Sequence, residues 1–139
     1  MKTESKDIEM KKEYLGGYEK AVRQMKRHEE RIQEIRLNKV SLAVVMDGMP
    51  RARNHNDLSS YAALLDKEER QYIKARYKRM MKCREITDKI ERMEKEDEKD
   101  VLVYRYIRLM KWEDMSEKMG YSWQYLHKIH ARALRNFMI

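Results

Sequence analysis

The position of the turn-forming residues is the feature that most constrains how this chain can fold. Only one proline and four glycines occur among 139 residues, and a single stretch, 47–57 (DGMPRARNHND), is dense in turn formers. Pro50 disfavours helical geometry at the preceding residue, and Gly48 can end a helix. Asp57 or Ser59 can then cap the next helix. We therefore expect long helices on both sides of one turn.

Both flanking segments carry apolar residues at helical spacing. In the first, about 7–46, Leu15, Tyr18 and Val22 follow one another at steps of three and four. The second reaches about residue 96 and continues the same pattern, while no alternating Val/Ile/Thr run indicates a strand. The sequence predicts an all-α fold in which residues 1–96 form a long antiparallel helical hairpin, a coiled coil with a loop at 47–57. A structural role is favoured for this hairpin, and it could also support a homodimer.

Charge separates the hairpin from the last forty residues. The stretch 91–100 (ERMEKEDEKD) has six acids and three bases, a net charge of −3. Residues 101–139 have seven Lys/Arg and three Asp/Glu, a net of +4, and all three acids precede Gly120. We interpret 91–100 as a solvated helix end or linker and 97–139 as a second domain. With a net charge of +8 for the whole chain, a polyanionic partner is favoured.

The domain 97–139 has the pattern of a helix-turn-helix. We expect one helix from Val101 to about Leu109 and a second from Trp112 to Lys118. Gly120 is suited to the left-handed conformation that ends a helix, and Ser122 can cap a third helix. Apolar residues then recur at three- and four-residue steps: Leu126, Ile129, Ala133 and Phe137. The predicted core of the motif comprises Met115, Met119, Gly120, Leu126, Ile129 and Ala131, with Ser116 and Ala131 small enough for close helix packing.

The outward face of the third helix has the chemistry of a DNA-reading surface. Four side chains are predicted to contact bases: Trp123, Gln124, His127 and Lys128. Glutamine can pair with adenine and lysine with guanine in the major groove, and an aromatic ring can pack on a thymine methyl group. Four others are placed for phosphates: Ser122, Tyr125, Arg132 and Arg135. Acids are absent from this helix, where they would face the DNA backbone.

Residues 102–137 resemble region 4 of the sigma-70 factors, the module that recognises the promoter −35 element. The resemblance is carried by YRYI, by WEDMSEKMGYS and by IHARAL. Together with the preceding hairpin and its DGMPRARNHND turn, the chain resembles small phage-encoded proteins related to late transcription regulators. This resemblance implies binding to double-stranded DNA, contact with RNA polymerase, and the same base-contacting positions, Trp123, Gln124, His127 and Lys128.

The sequence departs from the sigma pattern at several positions. Lys111 stands where region 4 has a capping Ser or Thr, and Trp123 and Gln124 stand where it usually has Arg and Glu. A housekeeping −35 preference is therefore not expected. No segment resembles region 2, which melts the −10 element, so a complete sigma factor is excluded.

Other classes of function find little support in the sequence. No phosphate-binding Gly-rich loop, metalloprotease motif or nucleophile with a suitable base occurs, so we expect no enzyme, cofactor or metal site. The longest apolar run, 40–46, is too short to span a membrane, residues 1–14 have no apolar signal core, and Cys83 is the only cysteine. A cytoplasmic protein associated with the bacterial nucleoid is expected.

The leading hypothesis is a phage or prophage transcription regulator that binds specific DNA. The first alternative is an assembly protein that resembles a small terminase subunit, although those place the DNA-binding module first. The second is an adaptor that binds RNA polymerase through the hairpin without touching DNA. The target site, activation or repression, and the oligomeric state stay open.

Overall fold

A computed structural model describes residues 2–46 and 54–139, with side chains described for 2–38 and 58–139. Every regular element in these ranges is helical, which confirms the all-α fold class. The elements are α1 (Lys2–Leu15), α2 (Gly17–Met46), α3 (Asn54–Glu91), α4 (Glu96–Leu102), a π-helix (Val103–Ile107), α5 (Trp112–Met119) and α6 (Trp123–Asn136). None of the described helices is both long enough and apolar enough to cross a membrane.

Several helix boundaries differ from the predicted ones. Residues 47–53 of the predicted loop lie outside the described part of the chain. Helix α3 already begins at Asn54, so Asp57 and Ser59 lie inside it and the prediction that either caps it is wrong. The acidic stretch at 96–98 is not a linker, because it forms the first turn of α4. Acids in a first turn are favoured there by the positive end of the helix dipole.

The chain divides into two compact units, 1–21 with 79–139 and 22–78. This division differs from the predicted boundary at residue 97. The first unit crosses that boundary because one hydrophobic core joins the ends of the long helices to α6. Its buried members are Leu15, Ile86, Ile90, Met93, Leu102, Ala133, Leu134 and Phe137. The base of the predicted hairpin thus belongs to the same unit as the C-terminal helices.

Within the second unit, polar contacts join α2 to α3. His28 Nδ1 lies 3.2 Å from Glu68 Oε2, and the Arg36 guanidinium lies 3.4 Å from Glu69 Oε1. Ile32 and Ile35 are buried on α2, as expected for its apolar stripe. An antiparallel coiled coil along the whole length of these helices, and a homodimer built on it, stay predictions.

The expected helix 101–109 is interrupted by the π-helix. The Arg108 N–H donates to the Val103 carbonyl at 2.9 Å, five residues back. Leu109 then takes a left-handed conformation with φ 55°, and the Met110 N–H donates a hydrogen bond to the Tyr104 carbonyl at 2.9 Å. π-Helical turns are rare, and they often occur at functional positions.

Candidate nucleic-acid interface

The turn between α5 and α6 has the predicted local geometry. Gly120 is left-handed, with φ 71° and ψ 23°, and its N–H donates to the Ser116 carbonyl at 3.0 Å. The Ser122 hydroxyl accepts the Tyr125 N–H at 3.2 Å and so caps α6. The Ser116 hydroxyl donates to the Tyr121 carbonyl across the turn. The roles predicted for Gly120 and Ser122 in ending one helix and beginning the next are confirmed.

A small apolar cluster holds α5 and α6 together. Met115, Leu126 and Ile129 are fully buried with Val101, and the partly buried Met119 packs against them. Ala131, in contrast, is exposed, so its predicted place in this core is wrong. It stands two residues from both Ile129 and Ala133, which turns it about 200° away from the buried side of the helix.

The exposed side of α6 is an acid-free stripe of four residues. Gln124, Lys128, Ala131 and Arg135 follow at steps of four, three and four, and all four are exposed. We call these four residues the α6 stripe. Trp123 lies beside it with 55% of its surface exposed. Of the predicted base contacts, the structure brings Trp123, Gln124 and Lys128 together on open surface.

His127, the fourth predicted base contact, lies between two indole rings. Its ring centroid is 4.2 Å from that of Trp112 and 4.0 Å from that of Trp123. Nε2 is buried and has no hydrogen-bond partner among the described residues. These tilted ring contacts place His127 against Trp123, and His127 is only partly exposed. The contact between His127 and Trp112 was not predicted from the sequence.

Arg132, a predicted phosphate contact, is paired with two carboxylates of α4. Nε donates to Glu98 Oε1 at 2.8 Å, and the other side of the guanidinium pairs with Asp97. Hydrogen bonds to Glu98 and then to Asp97 raise the pKa of Arg132 above its usual value. Nε and one terminal nitrogen of the guanidinium are thus occupied, and the phosphate contact by Arg132 stays a prediction. The cause of this pairing is the acidic first turn of α4, which faces α6.

Glu98 is the centre of this network, and its role was not predicted from the sequence. It is 1% exposed and also accepts two hydrogen bonds from Asn136 Nδ2, at 2.9 and 3.2 Å. A usable signal was present in the sequence. Glu98 precedes the buried Val101 and Leu102 by three and four residues, so it shares their inward face.

The remaining predicted phosphate contacts, Ser122, Tyr125 and Arg135, are exposed. The Arg135 carbonyl accepts a hydrogen bond from Lys11 Nζ at 3.2 Å, and Lys11 pairs with Asp7 at 3.2 Å. Helix α1 thus satisfies a carbonyl in the last turn of α6 with a cation, which also suits the helix dipole. The Arg135 side chain stays directed to solvent.

Comparison of the chain with protein-family models, with characterised proteins and with solved structures finds no match. Among the described residues, no group of three or more His, Cys, Asp or Glu side chains is placed to hold a metal ion.

On the inward side of α6, His130 is buried beside Tyr106, with Nε2 2.8 Å from the phenol oxygen. Burial, together with the charges of Lys12, His127 and Arg105, lowers the pKa of His130 to about 4. Burial raises the pKa of Tyr106 to about 12. Both groups are therefore neutral at pH 7, and the hydrogen bond joins two uncharged rings.

The free energy of unfolding should fall as the pH falls from about 6.5 to 4, because in this range His130 binds a proton in the unfolded chain and not in the folded one. From pH 7 to pH 4.5 we expect this residue to contribute a loss of about 2 kcal/mol in unfolding free energy. Urea unfolding of wild type and His130→Gln at both pH values checks it. The wild type should lose about 2 kcal/mol more than the variant. An equal loss of unfolding free energy in the wild type and the variant would contradict the lowered pKa of His130.

Proposed function

We propose that this chain is a sequence-specific DNA-binding transcription regulator that places α6 in the major groove of a duplex. The observation that carries this proposal is the α6 stripe: an exposed, acid-free helix face that directly follows a left-handed glycine and a capping serine. In a helix-turn-helix the second helix enters the major groove with its N-terminal residues toward the bases. Trp123, Gln124 and Lys128 stand at that end of α6.

Each of these side chains suits a different part of a base pair. Gln124 can donate to and accept from adenine N7 and N6, and Lys128 can donate to guanine O6 and N7. The indole of Trp123, supported from behind by His127, offers an apolar surface to a thymine methyl group. Ala131 lies in the middle of the stripe, where its small side chain allows the helix backbone to approach the bases.

Phosphate contacts would fix the register of α6 without reading sequence. Ser122, Tyr125 and Arg135 remain available for this, and the net charge of +8 attracts a duplex at a distance. The resemblance of residues 102–137 to sigma region 4 supports a role in transcription and contact with RNA polymerase. One such module reads few base pairs, so a polymerase or dimer partner would add affinity.

A second candidate function is that of an adaptor that binds a protein through α3. Ile73 and Tyr77 are mostly exposed and stand one turn apart, so they form an apolar surface without a described partner. An adaptor of this kind would bind RNA polymerase while leaving the mobility of free DNA unchanged.

Selection of binding sites from random duplex DNA tests the leading proposal. The full chain should enrich one short motif, and the selected duplex should bind about a thousand-fold or more tightly than a scrambled one at physiological salt. Repetition with RNA polymerase present should sharpen the motif if the polymerase is a partner. If no motif is enriched over the starting random pool, either with or without RNA polymerase, sequence-specific binding is contradicted.

A further inference from the structure

Two cationic side chains from different elements converge on the ring of Tyr104. The Arg108 guanidinium lies 5.3 Å from the ring centroid and the Lys118 ammonium lies 5.0 Å from it. Tyr104 belongs to the π-helix, Arg108 follows that helix directly, and Lys118 is in the last turn of α5. Each cation is attracted to the electron-rich ring. We call these three residues the Tyr104 cluster.

The ring is held in place by its surroundings. Tyr104 packs against the buried cluster of Val101, Met115 and Leu126, and its carbonyl accepts the Met110 N–H at 2.9 Å. The left-handed Leu109 ends the helix directly after Arg108. The ring that both cations approach is therefore held by packing and by backbone geometry.

The cluster carries two positive charges that the described protein does not neutralise. Both cations are exposed, and within residues 2–38 and 58–139 neither forms an ion pair. Asp114 lies one helical turn before Lys118 but does not pair with it within the described part of the chain. Two like charges held near one ring repel each other, and an anion between or across them removes that repulsion.

We propose that Arg108 and Lys118, positioned by Tyr104, bind the phosphate backbone of the duplex that α6 reads. This inference rests on the proposed function and adds two unpaired cations to a surface on which Arg132 is already paired with Asp97 and Glu98. Lys118 lies two residues before Gly120, at the end of the first motif helix, which crosses the DNA backbone in helix-turn-helix complexes. The Tyr104 cluster sets affinity and register and leaves sequence preference to the α6 stripe.

The salt dependence of DNA binding by the full chain tests this inference. Fluorescence anisotropy with the selected duplex and with a scrambled duplex, each of about 20 base pairs, gives the slope of log affinity against log salt. In Arg108→Gln/Lys118→Gln the slope should become shallower by about 1.8 for both duplexes. Between about 50 and 200 mM salt the double variant should therefore lose about 12-fold less affinity than wild type. The ratio of the two affinities should not change.

Matched variants separate local contacts from bulk charge. Lys6→Gln/Lys95→Gln removes the same net charge from two exposed positions without described ion pairs, and its slope should equal that of wild type. Lys118→Gln alone should lower the slope by about 0.9. If the wild type binds the selected duplex and the Arg108/Lys118 variants keep the wild-type slope of log affinity against log salt, this inference alone is overturned. A wild type that binds neither duplex overturns the proposed function as well.

Discussion

Replacement of Glu98 by alanine is expected to lower the free energy of unfolding by about 2–4 kcal/mol, although Glu98 is one of six acids in the stretch 91–100. The carboxylate is 1% exposed and accepts hydrogen bonds from Arg132 and Asn136. Its loss leaves a cavity and unpaired polar groups between α4 and α6. The effect should stay below that of a fully buried ion pair, because the Arg132 side chain is 36% exposed and keeps Asp97 as a partner.

Glu96→Ala is the matched control for this prediction. Glu96 lies two residues earlier in α4, and its side chain is 81% exposed and pairs only with Lys99, at 3.3 Å, in the described structure. Its removal should cost less than about 1 kcal/mol. Urea unfolding of the two variants at pH 7 measures the difference. Equal losses would show that the Glu98 network does not stabilise the first unit.

Local chemistry explains why much of the C-terminal fold was predictable from the sequence. Gly120 and Ser122 carry their own conformational preferences, so the end of α5 and the start of α6 could be predicted without tertiary information. The inward stripe of Leu126, Ile129, Ala133 and Phe137 followed from helical periodicity alone, and all four are buried. The assignment of Ala131 to the core failed because small size was given more weight than angular position.

Features that depend on distant partners could not be predicted in this way. The Arg132 side chain is engaged because the first turn of α4 lies against α6. The spacing of Glu98 from Val101 and Leu102 indicates an inward face, but it does not indicate which helix that face contacts. The contacts of the His127 ring with Trp112 and Trp123 require the turn to bring two helices together. The unit boundary lies elsewhere than expected because the apolar ends of α1 and α3 share a core with α6.

Simultaneous replacement of Gln124 and Lys128 by alanine should weaken binding to the selected duplex by about 2–6 kcal/mol. This estimate combines about 1–3 kcal/mol for each base contact. Both side chains are exposed, so the fold and its unfolding free energy should be unchanged. Binding to a scrambled duplex should weaken far less, since only the charge of Lys128 contributes there.

Arg135→Ala is the control on the same stripe. Its predicted partner is a phosphate, so the selected and scrambled duplexes should lose affinity alike, and the salt slope should fall by about one. Circular dichroism of all variants verifies that α6 remains folded. If Arg135→Ala instead binds the selected and scrambled duplexes with more similar affinities than wild type does, Arg135 contacts bases and the assignment of base contacts to the N-terminal end of α6 is wrong.

The ratio of Kd for the scrambled duplex to Kd for the selected duplex, at one fixed salt concentration, tests most directly whether α6 reads DNA. We predict a ratio of about a thousand or more for wild type and a fall of at least about 30-fold in Gln124→Ala/Lys128→Ala. A ratio near one for wild type, or an equal ratio in both proteins, would contradict the account.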